Sequence, residues 1–409
     1  MMKILFANKF FYLNGGSETV FFQERNFLLD QGHYVVDFSM QHPNNLPSSY
    51  SDYFIQNIDY RNCISRRFKA IQNTFKASKN FIQNNEAIKK IGLIVNAEHP
   101  QVAHIHNIYH QITPAIIPVL KNGGVKVILT LHDYKLICPS YSMLCSGQIC
   151  NRCEGRYFYH AVHNKCQNRS WLRSVLLSAE AYWHKWAKSY DGVDLFLAPS
   201  KFMAEIIAQY RIDADKIVVL HNGIDSSKFV RSDVDKNYIL YFGRISEEKG
   251  VETLIKAYKI LDTKMPLKIV GTGPIKEQLH RQYPEIEFFG YKTGNELVTL
   301  VAEASFCVVP SEWYENCSMT VLESMAFGKP VIGARTGGIP EQIDDGRSGF
   351  LFEMGNVEDL AEKMRILIDE RCLRNSMGKA AREILETKYS LSNHCDQLLR
   401  IYNGLISTI

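Results

Sequence analysis

Two glutamates with seven residues between them, Glu315 and Glu323, bracket Ser318-Met319-Thr320 in the stretch SEWYENCSMTVLESMAFGKPVI, Ser311 to Ile332. The stretch reads as a strand end, a polar loop, a helix, a Gly-Lys-Pro break and a second strand. Ser318, Met319 and Thr320 would open the helix, where backbone N–H groups have no intrahelical partner and suit an anion. A carboxylate on each side of such a helix start suits a ligand that joins a phosphate to a polyhydroxylated sugar. The pair alone is equally compatible with a surface glutamate and a helix glutamate in an ordinary β-α-β unit.

Other residues add to the same chemistry. In GRISEEKG, Arg244 follows a predicted strand and Lys249 sits five residues on. A guanidinium fork and a compact ammonium at one strand end suit the two phosphates of a diphosphate. Gly15-Gly16 lies between a strand and a helix, the arrangement by which α/β proteins bring backbone N–H groups to a phosphate, although the spacing is not GxGxxG. Three more loops fall where carboxyl ends of strands are expected: His221-Asn222-Gly223-Ile224-Asp225, Gly243-Arg244-Ile245 and Gly271-Thr272-Gly273-Pro274. His132 closes the apolar run Val127–Leu131 at another such end.

The elements that must position these groups follow from length and pattern. A chain of 409 residues, 46% hydrophobic and 22% charged, has room for two globular domains with their own cores. The net charge of +4 is too small to argue for nucleic acid. No run approaches 18 apolar residues, and the start shows no small-residue cleavage site behind an apolar run, so a cytoplasmic protein with reduced cysteines is expected. Strands are predicted at Lys3–Ala7, Val35–Phe38, Val102–His106, Val125–Leu129 and Leu195–Ala198. The α/β alternation then restarts with Ile217–Leu220, Tyr238–Phe242, Leu267–Val270, Ile286–Phe288, Phe306–Val309, Pro330–Gly333 and Gly349–Leu351. An α/β fold with parallel sheets is expected, with an N-terminal domain over 1–198, a second over 199–389, and a last helix over 390–409.

Two stretches stand apart. Between Arg61 and Lys90, Ile64, Phe68, Ile71 and Phe75 follow helical spacing among Arg61, Arg66, Arg67, Lys69, Lys76 and Lys79. A basic amphipathic helix suits an anionic membrane surface, or a helix packed on the sheet with a solvated basic face. Half of the ten cysteines crowd between Cys138 and Cys166. Cys150 and Cys153 form a C-x-x-C pair flanked by Cys138 and Cys166, which suits a structural zinc; free thiols or a redox pair are the other outcomes.

In this order, G-R-x-x-x-x-K-G, H-N-G-I-D, G-T-G-P, E-x7-E and G-K-P-V-I resemble the retaining glycosyltransferases of family 4, over nearly the whole chain. Gly15-Gly16-Ser17-Glu18 and Leu131-His132-Asp133 fit the N-terminal half. The resemblance implies the GT-B fold, two Rossmann-like domains facing each other across a cleft, with a UDP- or GDP-sugar donor held mainly by the C-terminal one. It makes Arg244 and Lys249 the diphosphate clamp, in place of an obligatory divalent cation. Glu323 becomes the ribose acceptor and Glu315 the grip on the sugar hydroxyls. Gly15, Gly16, Asn222, Gly223, Gly243, Gly271, Ser318, Met319 and Thr320 complete the donor site. His132 would contact the sugar or support the reaction from the other domain, and the final helix would cross back onto the N-terminal domain. The insert around the cysteines resembles a bacterial surface-polysaccharide subgroup, so a glycan acceptor on a lipid carrier at the inner membrane face is expected, with a small soluble acceptor as the alternative. A nicotinamide-dependent oxidoreductase is disfavoured by the missing GxGxxG. A non-catalytic glycan-binding protein is disfavoured by both glutamates together with Arg244 and Lys249. One departure touches the sugar pocket: many relatives read E-G-F-G-L where this chain has Glu315-Asn316-Cys317-Ser318-Met319.

Overall fold

The computed structural model describes residues 1–58, 81–210 and 212–407. Short apolar runs such as KILFA and FCVV form strands buried on both faces, as strands do when helices cover a parallel sheet on each side. The first sheet contains β1 (Lys3–Ala7), β2 (Tyr34–Phe38), β3 (Val102–Ile105) and β4 (Lys126–Thr130). A small antiparallel hairpin follows, β5 (Leu144–Cys145) and β6 (Gln148–Ile149), and then β7 (Leu195–Ala198) and β8 (Ile217–Val219) return to the first sheet. The second sheet contains β9 (Ile239–Phe242), β10 (Leu267–Val270), β11 (Glu287–Gly290), β12 (Phe306–Val309), β13 (Val331–Ala334) and β14 (Gly349–Phe352).

The strand orders are β2-β1-β3-β4-β7-β8 and β11-β10-β9-β12-β13-β14, with every neighbouring pair parallel. The second order reverses direction between β9 and β12. Loops leaving the carboxyl ends of two such strands diverge to opposite sides of the sheet and open a crevice between them. In the first sheet the corresponding reversal lies between β1 and β3.

One boundary differs from the sequence expectation. Ile217–Val219 pairs with β7 in the first sheet, Phe196 opposite Ile217, so that sheet continues past Ala198. The chain crosses to the second sheet after Leu220, whose backbone N–H still donates to the Ala198 carbonyl at 2.8 Å. A strand's apolarity says that it is buried, but not which of two sheets it joins.

The crossing is a paired hinge. Ile224 donates to the Tyr389 carbonyl at 2.9 Å, and Leu391 donates back to the Ile224 carbonyl at 2.9 Å. The last helix, Leu391–Ser407, then lies on the first sheet's side of the molecule, with Leu398 and Tyr402 in the cluster formed by Ile4, Phe6, Phe21 and Leu28. Its anchor is polar. His394 Nε2 bonds Glu24 Oε1 at 2.9 Å, and Tyr402 Oη bonds His104 Nδ1 at 2.7 Å. Burial works against the Glu24 charge, but His104, His106 and His394 around it hold the carboxyl well below its usual range.

Most of the basic run from Arg61, through residue 80, lies outside the described residues. Its last part leads into the helix Asn85–Glu98, capped by Asn84, whose side chain accepts from the N–H groups of Glu86 and Ala87.

Candidate active site

A cleft of about 890 Å³ opens at the switch point of the second sheet and is closed on its other side by Leu13–Gly16 and Thr19 of the first domain. That volume is ample for a nucleotide joined to a sugar. Three loops of the second domain build its floor. The loop after β9 carries Gly243 and Arg244 and coils into a short 3₁₀ turn, Glu247–Lys249. The loop after β10 carries Gly271–Pro274 and lies backbone to backbone on the first, with Ile245 N–H donating to the Thr272 carbonyl at 2.8 Å. Gly271 has φ +140°, and a Cβ there would collide with the Gly243 carbonyl, so no other residue allows the two loops to meet.

The loop after β12 carries the first glutamate. Glu315 is buried, and its Oε1 accepts from Lys249 Nζ at 2.6 Å and from Ser311 Oγ at 2.7 Å. Burial pushes this carboxyl up, but the Lys249 ammonium and the two hydrogen bonds outweigh it and leave the group below its ordinary value. Lys249 Nζ also lies 4.9 Å from the Trp313 ring centroid. Gly337, at φ +56°, lets the chain run against the Glu315 backbone where a Cβ would strike the carbonyl.

The helix Met319–Ala326 begins at the cleft. Ser318 occupies the cap position, but its N–H is taken by Gln342 Oε1 at 2.9 Å. The next N–H groups, of Met319 and Thr320, are the ones that face the cleft without a helical acceptor. Glu323 sits one turn on, partly buried, with no hydrogen-bond or ion-pair partner among the described residues, and burial pushes its carboxyl up to about 7. From the opposite wall the first helix, Gly16–Asp30, presents its own N-terminus, capped by Gly15. A Cβ on Gly16 would stand 3.5 Å from Met319 Cγ, so the two helix starts meet across the cleft. Arg244 is exposed at the rim with no carboxylate partner among the described residues. Two positive helix ends and two cations thus converge on one crevice, balanced in part by Glu315.

The structure brings together Gly15, Gly16, Gly243, Arg244, Lys249, Gly271, Glu315, Ser318, Met319, Thr320 and Glu323. It places three expected residues elsewhere. Asn222 and Gly223 lie at the hinge, where a Cβ on Gly223 would stand 2.8 Å from Leu391 Cα, so this glycine serves the crossing of the last helix. His132, at the end of β4, bonds His106 Nδ1 through Nε2 at 2.8 Å, and burial with His106 beside it lowers the imidazole to about 3. It is outside the cleft lining, although its carbonyl accepts from Asn316 Nδ2 at 2.7 Å, one residue from Glu315. Sequence reasoning missed Ser311 and Trp313 around Lys249–Glu315, and Tyr291 and Lys292 on the rim. Only the polar loop after β12 gave a sign of the first two.

The cysteines of the insert share one small lobe. Cys145 closes β5, Cys150 follows β6 with its N–H on the Met143 carbonyl at 2.8 Å, and Cys153 packs with Phe158 and Ala181. Burial and neighbouring sulfurs push the Cys153 and Cys166 thiols up to about 12. Cys166 has the Cys145 sulfur as its foremost sulfur neighbour, while Cys138 lies 3.2 Å from Ser140 Oγ and packs on the main core. Among the described residues, the group whose potential ligand atoms lie within 4.8 Å of one another is Glu24, His104 and His106 rather than these thiols. Both ring nitrogens of His104 are already engaged, by Tyr402 and by Thr130 at 2.6 Å.

Comparison with known proteins agrees with this architecture. Residues 14–228 match the family model for Glycosyltransferase Family 4, and residues 224–384 match that for Glycosyl transferases group 1. The sulfoquinovosyl transferase SQD2 of Arabidopsis thaliana is 34% identical over 239 residues, 53% of this chain and 45% of that protein. The alpha-D-kanosaminyltransferase of Streptomyces kanamyceticus is 29% identical over 180 residues, 42% of this chain and 46% of that protein. The chain spans about half the length of the curated relatives it matches. Among solved structures, Anabaena Alr3699/HepE in complex with UDP-glucose superimposes with a TM-score of 0.66, 17% identity and full coverage of both chains. The two parallel sheets and the cleft between them are the GT-B fold. The first family model alone covers more than half of the sequence, and the chain belongs to glycosyltransferase family 4.

Proposed function

We propose that this protein is a retaining glycosyltransferase that moves a sugar from a nucleoside-diphosphate sugar to a glycan acceptor on a lipid carrier, in the synthesis of a bacterial surface polysaccharide. The observation that carries the reading is the convergence of Arg244, Lys249 and two helix N-termini on one cleft that also holds Glu315 and Glu323. A diphosphate fits between the cations and the helix ends, ribose hydroxyls fit the unpartnered Glu323, and the sugar fits beside Glu315. A UDP-sugar is the favoured donor, since the Anabaena neighbour is a complex with UDP-glucose. GDP-sugars are the second choice.

The chemistry suits this charge pattern. The bond from the anomeric carbon to the diphosphate breaks, and the acceptor oxygen bonds to the same face of that carbon. The acceptor proton passes to a departing phosphate oxygen. Negative charge grows on the leaving group while the ring becomes oxocarbenium-like, so fixed cations aimed at the diphosphate lower the barrier. Arg244 and Lys249 fill that role in place of a divalent metal. His132 supports the reaction from behind, by fixing the Asn316 side of the Glu315 loop. The enzyme works in the cytoplasm.

The thiols of the insert suit a structural zinc held by Cys138, Cys150, Cys153 and Cys166, with Cys145 to spare; Cys138 and Cys150 are both among the sulfurs that push the Cys153 thiol up. The ligand sulfurs must draw together to hold the metal.

A screen of UDP-, GDP- and ADP-sugars by thermal shift and donor hydrolysis tests the reading. One nucleotide series should stabilise the protein and be hydrolysed slowly without acceptor. No response to any of them would remove the donor assignment.

A further inference from the structure

The helix Trp171–Trp186 is turned inside out. Its buried positions are Ser174, Leu177, Ser178, Glu180, Ala181 and His184, four of them polar. Its outward stripe is apolar: Leu172, Leu176, Ala179, Trp183 and Trp186 recur at helical spacing, with Trp171 beside them. Trp171 is 59% exposed and Trp186 is 76% exposed.

The inner polar groups are fixed, so the orientation is not free to reverse. Glu180 accepts from Lys135 Nζ at 2.7 Å and lies 3.1 Å from His110 Nδ1. Ser178 Oγ donates to the Phe158 carbonyl at 2.9 Å, and Ser174 Oγ to the Ser170 carbonyl at 2.8 Å. Rotating the helix to hide its tryptophans would strand a buried carboxylate and a buried lysine. The patch also extends beyond the helix. Tyr157 and Tyr159 are exposed, Tyr182 Oη accepts from Tyr159 N–H at 3.2 Å, and Lys185 Nζ lies 5.9 Å from the Tyr157 ring centroid.

The surroundings are basic. Residues 151–190 contain seven Lys and Arg (Arg152, Arg156, Lys165, Arg169, Arg173, Lys185, Lys188) against Glu154 and Glu180. Glu180 is buried in its pair with Lys135, so the outward charge is more positive still. Among the described residues, Lys165, Arg169 and Lys188 are exposed and form no ion pair. Tryptophan and tyrosine beside an apolar stripe, in a segment rich in lysine and arginine with Lys185 against Tyr157, match the chemistry of a bilayer interface: rings at headgroup level, cations on anionic lipid. A contiguous apolar patch of this kind is unusual on a soluble monomer and marks an interaction site. No described helix is long and apolar enough to cross a membrane, so the contact is made in the plane of the surface.

We infer that the Trp171–Trp186 helix, with Tyr157 and Tyr159, is the surface by which this protein docks on an anionic lipid bilayer. This deepens the reading of a lipid-linked acceptor and rests on it only for the purpose of the contact. Lys135 precedes the insert and follows the end of β4 at the first domain's cleft edge, and its pair with Glu180 ties the docked helix to that edge.

The test is co-sedimentation of the whole chain with vesicles of phosphatidylcholine alone or mixed with phosphatidylglycerol, without donor or acceptor. Binding should require the anionic lipid and weaken with salt. Trp183→Ser with Trp186→Ser should weaken it about tenfold or more, with melting temperature and donor hydrolysis unchanged. Tyr34→Ser, an exposed aromatic on the β2 edge, should leave it as it is. Lack of binding, equal binding to neutral vesicles, or an unchanged tryptophan double variant would each overturn the proposal. So would a concentration-dependent dimer that these substitutions dissolve, since the face would then belong to a second copy. Each of these results leaves the donor assignment standing, because donor hydrolysis is measured separately.

Discussion

Lys249 Nζ and Glu315 Oε1 lie 2.6 Å apart, joining the loop after β9 to the loop after β12 across the switch point of the second sheet. The two groups have separate tasks in the proposed reaction, one toward the diphosphate and one toward the sugar. Their pairing holds each in place. Glu315 is buried, and a buried carboxylate needs a partner to stay charged. A sugar hydroxyl that donates to Glu315 can take over part of that duty and release Lys249 toward the phosphates.

Removing either partner should therefore cost fold stability that removing a rim charge does not. Lys249→Ala is expected to lower turnover roughly a hundredfold or more, the scale of one lost transition-state charge contact. It should also destabilise the fold, because Glu315 is left buried and unpaired. Lys249→Ala with Glu315→Gln should recover part of the stability but none of the activity. Arg244→Ala, at the exposed rim, should lose comparable activity with no change in melting temperature. Near-normal donor hydrolysis in Lys249→Ala or Arg244→Ala would remove the clamp assignment.

The hinge gives a prediction of the opposite kind. Gly223→Ala places a Cβ 2.8 Å from the Leu391 Cα and 3.0 Å from the Ser390 carbonyl oxygen. Neither backbone atom can rotate away, so the variant should lose about 1–3 kcal/mol of stability in chemical denaturation. Donor affinity, measured where the variant is still folded, should stay within about twofold of normal on the same packing argument. A large selective loss of donor affinity would return Gly223 to the binding site.

What could be read from residues alone divides along a physical line. The strands were legible because KILFA, ILYF and FCVV are apolar on both faces, which only a covered parallel sheet accommodates. The glycine, arginine and glutamate loops were legible as cleft residues because the ends of parallel strands gather on one edge. Sheet membership of Ile217–Val219 was hidden, since either sheet would bury it equally well. The HNGID loop looked like its cleft-lining neighbours, and only the path of the last helix shows why Gly223 is needed. Glu24, His104 and His394 are separated by up to 370 residues and come together only through tertiary packing. The alternation His104-x-His106, two imidazoles on one face of a strand, was the single sign of that cluster.

The buried histidines set the response to acid. Burial holds His132 at about 3, and also lowers His104 well below the ordinary range. An unfolded histidine takes up a proton near 6.5, which these folded ones refuse. Between pH 6.5 and 3 the unfolded chain thus binds more protons, and stability falls as pH falls. Glu24 acts in the same direction at lower pH: its depressed carboxyl adds stability above the ordinary carboxylate value, lost as pH drops through the folded value. Thermal melts from pH 7.5 to 4.5 should show a continuous decline, shallower by about one proton in His132→Gln. His394→Ala should cost about 3–5 kcal/mol near pH 7, because it strips a hydrogen-bond partner from a buried carboxylate. A flat pH profile would mean that these imidazoles are charged in the fold.

Glu323 offers the most direct test of the donor pose. Its carboxyl is pushed up to about 7 by burial alone, with no partner among the described residues. Ribose hydroxyls donate to a carboxylate better than to a carboxylic acid, so donor binding favours the ionised form and lowers this value. Near pH 6.5 part of the population is protonated, and binding should release a fraction of a proton; above pH 8.5 it should release none. Calorimetric titration of a UDP-sugar in buffers of different ionisation enthalpy measures that number. Affinity should rise with pH up to about 7 and then level off. Glu323→Gln should abolish the proton release and weaken binding about tenfold, as expected for lost charge-assisted hydrogen bonds. The Glu315→Gln variant should keep the release, because Lys249 already holds Glu315 ionised at these pH values. Proton release that survives in Glu323→Gln would place the ribose elsewhere in the cleft.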